Sequence, residues 1–292
     1  MSTAEATTTP GATATAPRRR RTVSTRFLRS ELRLVYGRRR NQVGLVVLAA
    51  VPVLISIAIK TSASHPGQDA PDFFSSITQN GLFLALAALT IELGLFLPIA
   101  VAAIAGDAVA GEANTGTLRY LLTVPVDRTR LLAVKYAAIV VGAMTAALVV
   151  CATGIVMGLL LFGGGDVVLL SGSTTSFGDG LLRVLGATVY VGIGLAALGA
   201  VGLFFSTLTE QPIGAMIATV IFSTASYIAD TVPQISWLHP YLITHDWMAY
   251  ADLLRDPVSW SQMGDGLWLA LGYAVVFWLL AWARFGRKDI TS

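Results

Sequence analysis

Charge is scarce in this chain. Of its 292 residues only 20 are basic and 17 acidic, 13% in all, against 54% hydrophobic. A soluble domain carries about 25% charged residues. So thin a supply cannot coat a globule of this length, which excludes a soluble protein and makes a polytopic helical membrane protein the expectation. Cysteine is nearly absent: Cys151 stands alone, so an internal disulfide framework and a cysteine metal cluster are excluded. The three histidines are His65, His239 and His245. The spacing of His239, His245 and Asp246 matches no ligand pattern, and no metal site is expected. The sequence has no G-x-x-x-x-G-K-[ST] phosphate loop, no H-E-x-x-H and no G-x-S-x-G. Catalysis and ATP binding by this chain alone are therefore not expected, nor is a nucleic-acid partner.

What the chain has is long apolar runs. About 20 apolar residues cross a bilayer, and six segments qualify: 43–59, 81–105, 131–162, 181–206, 212–229 and 265–283. They are solidly apolar rather than alternating, which excludes a β-barrel. The expected fold is an all-α membrane protein of six transmembrane helices. Residues 1–21, Thr/Ala/Pro-rich and then basic, read as a disordered tail. Residues 22–40 read as an interfacial amphipathic helix, 41–284 as the six-helix domain and 285–292 as a C-terminal tail. A cleaved signal peptide is not expected, because the positive region would be about 41 residues long.

The basic residues are unevenly placed. With six spans both termini share one side, and 17 of the 20 Lys and Arg fall there. The positive-inside rule puts that side in the cytoplasm of a cell membrane. In residues 22–40, Arg26, Arg29 and Arg33 share one helical face, with Val23, Phe27, Leu28, Leu32, Leu34 and Val35 on the other side. Such a helix lies among lipid headgroups.

Inside the spans, Gly154 and Gly158, and the series Gly192, Ala196, Ala200, sit at helix-packing spacings and read as tight packing within the subunit. Pro98 is expected to kink the second span. Glu92 is the one charge near mid-span. It is either a protonated or hydrogen-bonded side chain facing the bundle, or a group lining a substrate path. The outer segment 230–264 holds Trp237, Tyr241, Trp247, Tyr250 and Trp260. Taken singly, each tryptophan there reads as part of an interfacial aromatic belt.

The densest polarity lies in the loop after the second span, residues 105–136, with Asp107, Glu112, Arg119, Asp127, Arg128, Arg130 and Lys135. Asn114, Thr115 and Gly116 suggest a turn or a helix start. Thr117 to Val124 then predicts a short amphipathic helix that Pro125 ends.

The loop runs Gly111-Glu112, Gly116-Thr117-Leu118, Leu121-Leu122, then Pro125-Val126-Asp127-Arg128 and Lys135. In that order it resembles the permease subunits of type-2 ABC transporters. The tail Phe285-Gly286-Arg287-Lys288-Asp289, the amphipathic helix and the six-span layout fit the same resemblance from residue 22 onward.

The resemblance implies a coupling helix between spans two and three, pressed by two separate nucleotide-binding ATPase subunits that hold ATP and Mg. It also implies a second permease subunit, identical or related, and short re-entrant helices in the outer segment. The residues it assigns to the ATPase contact are Gly111, Glu112, Gly116, Thr117, Leu118, Leu121, Leu122, Pro125 and Arg128. Arg128 and Lys135 would also mark the lipid boundary and hold the loop down.

The leading expectation is thus the membrane subunit of an ATP-driven exporter of a hydrophobic or amphipathic compound such as a drug, antibiotic or lipid. An ion-coupled secondary transporter using Glu92 and a non-transporting membrane scaffold are the alternatives. Richness in Ala, Gly and Arg points to a high-GC bacterial genome.

Overall fold

The computed structural model describes residues 25–63, 80–116 and 128–287. Its helices are α1 (Thr25–Gly37), α2 (Arg39–Ala63), α3 (Leu82–Leu93), α4 (Phe96–Asp107), α5 (Ala110–Asn114), α6 (Arg128–Phe162), α7 (Phe177–Leu208), α8 (Pro212–Asp230) and α9 (Ser261–Gly286). A two-residue ladder, β1 (Val167–Val168) with β2 (Thr174–Thr175), and two 3₁₀ segments, Pro233–Tyr241 and His245–Leu254, complete the described residues.

Five helices, α2, α6, α7, α8 and α9, are long and apolar enough to cross a membrane, and α3 with α4 makes a sixth segment bent by 58°. The bent pair runs from one end of the bundle to the other. Its first residues meet the end of α6, where the Gly81 N–H donates to Gly163 O at 3.1 Å. Its last residue, Asp107, pairs with Arg38 and Arg40 at the start of α2. The six-span expectation therefore holds, and the chain is a multi-pass helical membrane protein. α6, at 35 residues, is about 50 Å long, well beyond a hydrocarbon core of about 30 Å.

Pro98 does interrupt the second span, but the break falls at Gly94–Leu95, four residues earlier. A proline has no N–H for the carbonyl four residues back, and its ring presses on that carbonyl. The helix therefore stops before Leu95 and restarts at Phe96, with Pro98 in the first turn, where no intrahelical N–H bond is needed.

α7 is the axis of the bundle. It packs against α3, α4, α6, α8, α9 and the second 3₁₀ segment, and most of its apolar length is buried. α2, α8 and α9 are peripheral and leave Val46, Leu54, Ile217, Ile221, Leu271 and Val276 about half exposed or more. A continuous apolar rind of this kind is unfavourable in water and natural against acyl chains.

Of the outer aromatics, Trp237, Tyr241 and Trp260 are exposed, as a belt requires, whereas Trp247 and Tyr250 are buried. For Trp247 the belt expectation is corrected. The second 3₁₀ segment sinks between α7 and α9, and Tyr250 Oη lies 2.6 Å from Thr90 Oγ1 on α3.

The small residues of α6 work within the subunit. A Cβ on Gly158 would lie 2.0 Å from Gly81 O, and one on Gly154 would lie 2.6 Å from Ala85 Cα. Backbone meets backbone here, so no side chain can move aside. Gly158→Val is expected to separate α6 from α3 and cost at least about 3 kcal/mol. Gly272→Ala, with nothing within 4 Å of the added carbon, should be near neutral. Thermal unfolding of the two variants in detergent checks the contrast.

Candidate functional site

The polar loop leaves the bundle at the corner between α4 and α5, and that corner is held by four other helices. Ser206, in the last turn of α7, is fully buried. Its Oγ accepts the N–H groups of Val109 at 3.0 Å and Ala110 at 2.9 Å, and donates to Gly106 O at 2.7 Å. One hydroxyl thus satisfies two backbone donors and one acceptor that a tight bend would otherwise leave buried and unpaired.

The Asp107 carboxylate takes both Arg38 and Arg40, and Arg40 Nη2 also donates to Ala103 O at 2.9 Å. Gly111 gives the guanidinium its room, since a Cβ there would approach Arg38 Nη1 to 3.3 Å.

One turn further, Glu112 meets Lys135. Lys135 Nζ is 2.5 Å from Glu112 Oε1 and 3.5 Å from Glu31 Oε2, and the lysine side chain is only 2% exposed. One ammonium therefore ties α5 and α1 to the first turns of α6. Burial pushes the Glu112 carboxyl above the ordinary carboxylate range, and the Lys135 charge and hydrogen bond pull it back down. Glu31, Arg38, Asp107, Glu112 and Lys135 line a cavity of about 30 Å³.

α1 is fixed to α2 by the side chains of α2's first turn. Asn41 Nδ2 donates to Val35 O and Gln42 Nε2 to Tyr36 O, both at 2.8 Å. These bonds satisfy carbonyls left open where α1 ends. Arg26, Arg29 and Arg33 are exposed and Phe27, Leu28, Leu32 and Val35 partly buried, as the amphipathic pattern requires, but Leu34 is 53% exposed. Val23 lies outside the described residues.

α5 is closed by Gly116 at φ +70°, a left-handed cap that glycine adopts without strain. Its N–H donates to Ala113 O. The turn reading of Asn114–Gly116 is the observed one.

Thr117, Leu118, Leu121, Leu122 and Pro125, expected on the coupling helix, lie outside the described residues. The chain is described again at Arg128, whose Nη1 donates to Gly286 O at 2.9 Å. Beside it, Trp282 Nε1 donates to Thr129 Oγ1 at 2.9 Å. The end of α9 thus holds the second root of the loop, as α1, α2, α6 and α7 hold the first.

Glu31 and Ser206 were not among the residues singled out from sequence. Glu31 carried a signal: it lies four residues from both Phe27 and Val35, inside the apolar stripe of α1, where a carboxylate needs a partner. Ser206 carried none, because serine is unremarkable near a helix end.

Glu92 sits apart from this cluster. It is fully buried on α3, and neither carboxyl oxygen has a hydrogen-bond partner among the described residues. His239 and His245 turn to Asp230, with His245 Nδ1 2.6 Å from its Oδ1; His65 lies outside the described residues.

A family model described as "Protein of unknown function (DUF2705)" matches residues 43–291, which takes in every span and leaves α1 outside. The chain belongs to the DUF2705 family. A comparison with curated proteins finds no match.

For this DUF2705 member the buried triad makes a sharp energetic statement. Removing the shared cation strands two buried carboxylates, so Lys135→Met is expected to cost about 3–5 kcal/mol. Adding Glu31→Gln and Glu112→Gln should return most of that loss, and a multiple-mutant cycle of thermal unfolding in detergent measures the return. Ser206→Ala orphans two amides and should cost on the order of 2–3 kcal/mol by the same assay.

Proposed function

We propose that the chain is the permease subunit of an ATP-driven type-2 ABC transporter. In this reading two such subunits, identical or related, form the pathway in a bacterial cell membrane, with both termini cytoplasmic. Two separate ATPase subunits, holding ATP and Mg, press on the loop between α5 and α6. The cargo is a hydrophobic or amphipathic compound, exported.

The observation that carries the reading is the rooting of that loop. A loop that only marked topology would need no buried ion triad, no two-arginine clamp and no serine stitch, each costly to desolvate. A loop that receives force needs rigid attachment, because a partner can shift the bundle only through contacts that differ between its two states. Glu112 and Arg128 serve here as roots, while Leu118, Leu121 and Leu122 form the apolar contact with the ATPase.

The test is binding to the partner. Leu121→Asp together with Leu122→Asp is expected to abolish co-purification of an ATP-hydrolysing partner with the tagged chain, while thermal unfolding of the bundle stays within experimental error. If the wild-type chain brings down no ATPase, or if the double variant keeps transport-coupled ATP hydrolysis, the reading fails.

One observation favours a second reading, an ion-coupled secondary transporter: the buried Glu92, whose carboxyl has no hydrogen-bond partner among the described residues. Gradient-driven flux through the reconstituted chain without any ATPase, lost in Glu92→Gln, would establish it.

A further inference from the structure

Glu92 is the eleventh residue of α3, about 15 Å along the helix and so roughly halfway across a core of about 30 Å. Its residue exposure is zero. The helices packed against α3 are α2, α4, α6 and α7. Their ionisable side chains, such as Lys60 and Arg40 on α2, Asp107 on α4, Cys151 and Lys135 on α6 and Tyr190 on α7, all stay beyond hydrogen-bond or ion-pair reach of it, as does Tyr250 from the second 3₁₀ segment. An ionised carboxylate in such a place would have no counter-charge among the described residues to stabilise it.

The place is also a discontinuity in the backbone. Glu92 lies in the last turn of α3, two residues before the break at Gly94–Leu95. The C-terminal end of a helix carries partial negative charge on its open carbonyls. The crevice at the break is lined by Gly94, Leu95, Pro98, Ser223, Tyr227 and Trp247, and the Trp247 Nε1–H is likewise unpartnered among the described residues. The carboxyl and the open carbonyls at the end of α3 both favour a positive charge. The crevice holds only about 10 Å³, at most a single water. Glu92 itself does not line this crevice and has no exposed surface, so in this conformation its carboxyl has no room for a cation larger than a proton.

We propose that Glu92 is a cation-exchange site at the broken span. It carries a proton in the packed bundle and takes a singly charged cation in its place when α3 and α4 flex at Gly94–Leu95. The exchange breaks the carboxyl O–H bond and passes the proton to water as hydronium. The carboxylate then pairs with the incoming cation, and nothing is oxidised or reduced. The site rests on the geometry of this chain and not on the ATPase reading.

The test uses the purified full chain in lipid nanodiscs. Dicyclohexylcarbodiimide, a hydrophobic reagent for protonated carboxyls, is expected to form a stable adduct on the peptide carrying Glu92, mapped by mass spectrometry and absent in Glu92→Gln. Labelling should fall as pH rises, and fall severalfold with sodium chloride or ethylammonium chloride relative to bulky choline chloride at equal ionic strength. Protection by sodium alone assigns an inorganic ion, and protection by ethylammonium alone assigns an amine. Protection by neither overturns the exchange site.

Infrared difference spectra of wild type against Glu92→Gln remove any dependence on reagent access. A carboxylic-acid carbonyl band confined to the wild type is expected, and its absence overturns the proposal. A packing residue would instead reveal itself as a protonated carboxyl insensitive to every cation.

Discussion

Lys135 is the pivot of the basic end of this protein. Its ammonium sits between carboxylates from a helix before the first span and from the loop after the second. With the charge 2% exposed, neither carboxylate can leave without stranding the other ionic groups in a medium that screens them poorly. Three stretches of chain, separated by 81 and 23 residues from Glu31 through Glu112 to Lys135, are thereby held in one arrangement. The Arg38–Asp107–Arg40 clamp and the Ser206 stitch then close the same corner from α2 and α7. A chain with so few charges has concentrated several of them at one corner.

That concentration bears on how motion could cross the molecule. Packed helices rearrange as rigid bodies between discrete arrangements rather than deforming continuously. The loop roots join α1, α2, α6, α7 and α9, so displacement of the loop would be shared among them. The bent pair differs: α4 is fixed at its end by Asp107, while its start is free of any hydrogen-bonded continuation from α3 beyond the local turn at Leu95. The break is the place where relative motion of the two halves costs fewest backbone bonds.

The spans were legible because twenty consecutive apolar residues leave a helix few alternatives in lipid. Their ends were less so. Hydropathy stops at Arg130, whereas the α6 backbone continues to Arg128, since a polar first turn is still a good helix. The break at Gly94 was displaced from Pro98 because a proline acts on the carbonyl four residues back, a rule readable in sequence once applied. Glu112 and Lys135 stood out as polar residues in a poor background, but their burial did not, because pairing depends on which helices end up adjacent. Glu31 hid inside an apolar stripe, and Ser206 had no pattern at all. The depth of Trp247 and Tyr250 was likewise settled by tertiary packing, not by their proximity to a span end.

Two buried polar features among the described residues differ in kind, and the difference bears on what each can do. At the basic end the charged groups meet partners, although Asn41 Oδ1 has none among the described residues, and a network of ion pairs rigidifies the elements it joins. Glu92 at mid-span and the Trp247 indole on the second 3₁₀ segment are buried with no hydrogen-bond partner among the described residues. An unsatisfied buried group costs stability in the conformation that contains it, and a sequence that keeps one there forgoes the apolar side chain that would pack better. Such a cost is offset only if another conformation, or another occupant, uses the group. The paired charges of the basic end are thus suited to transmit force, and the buried carboxyl at the bent span is suited to respond to it.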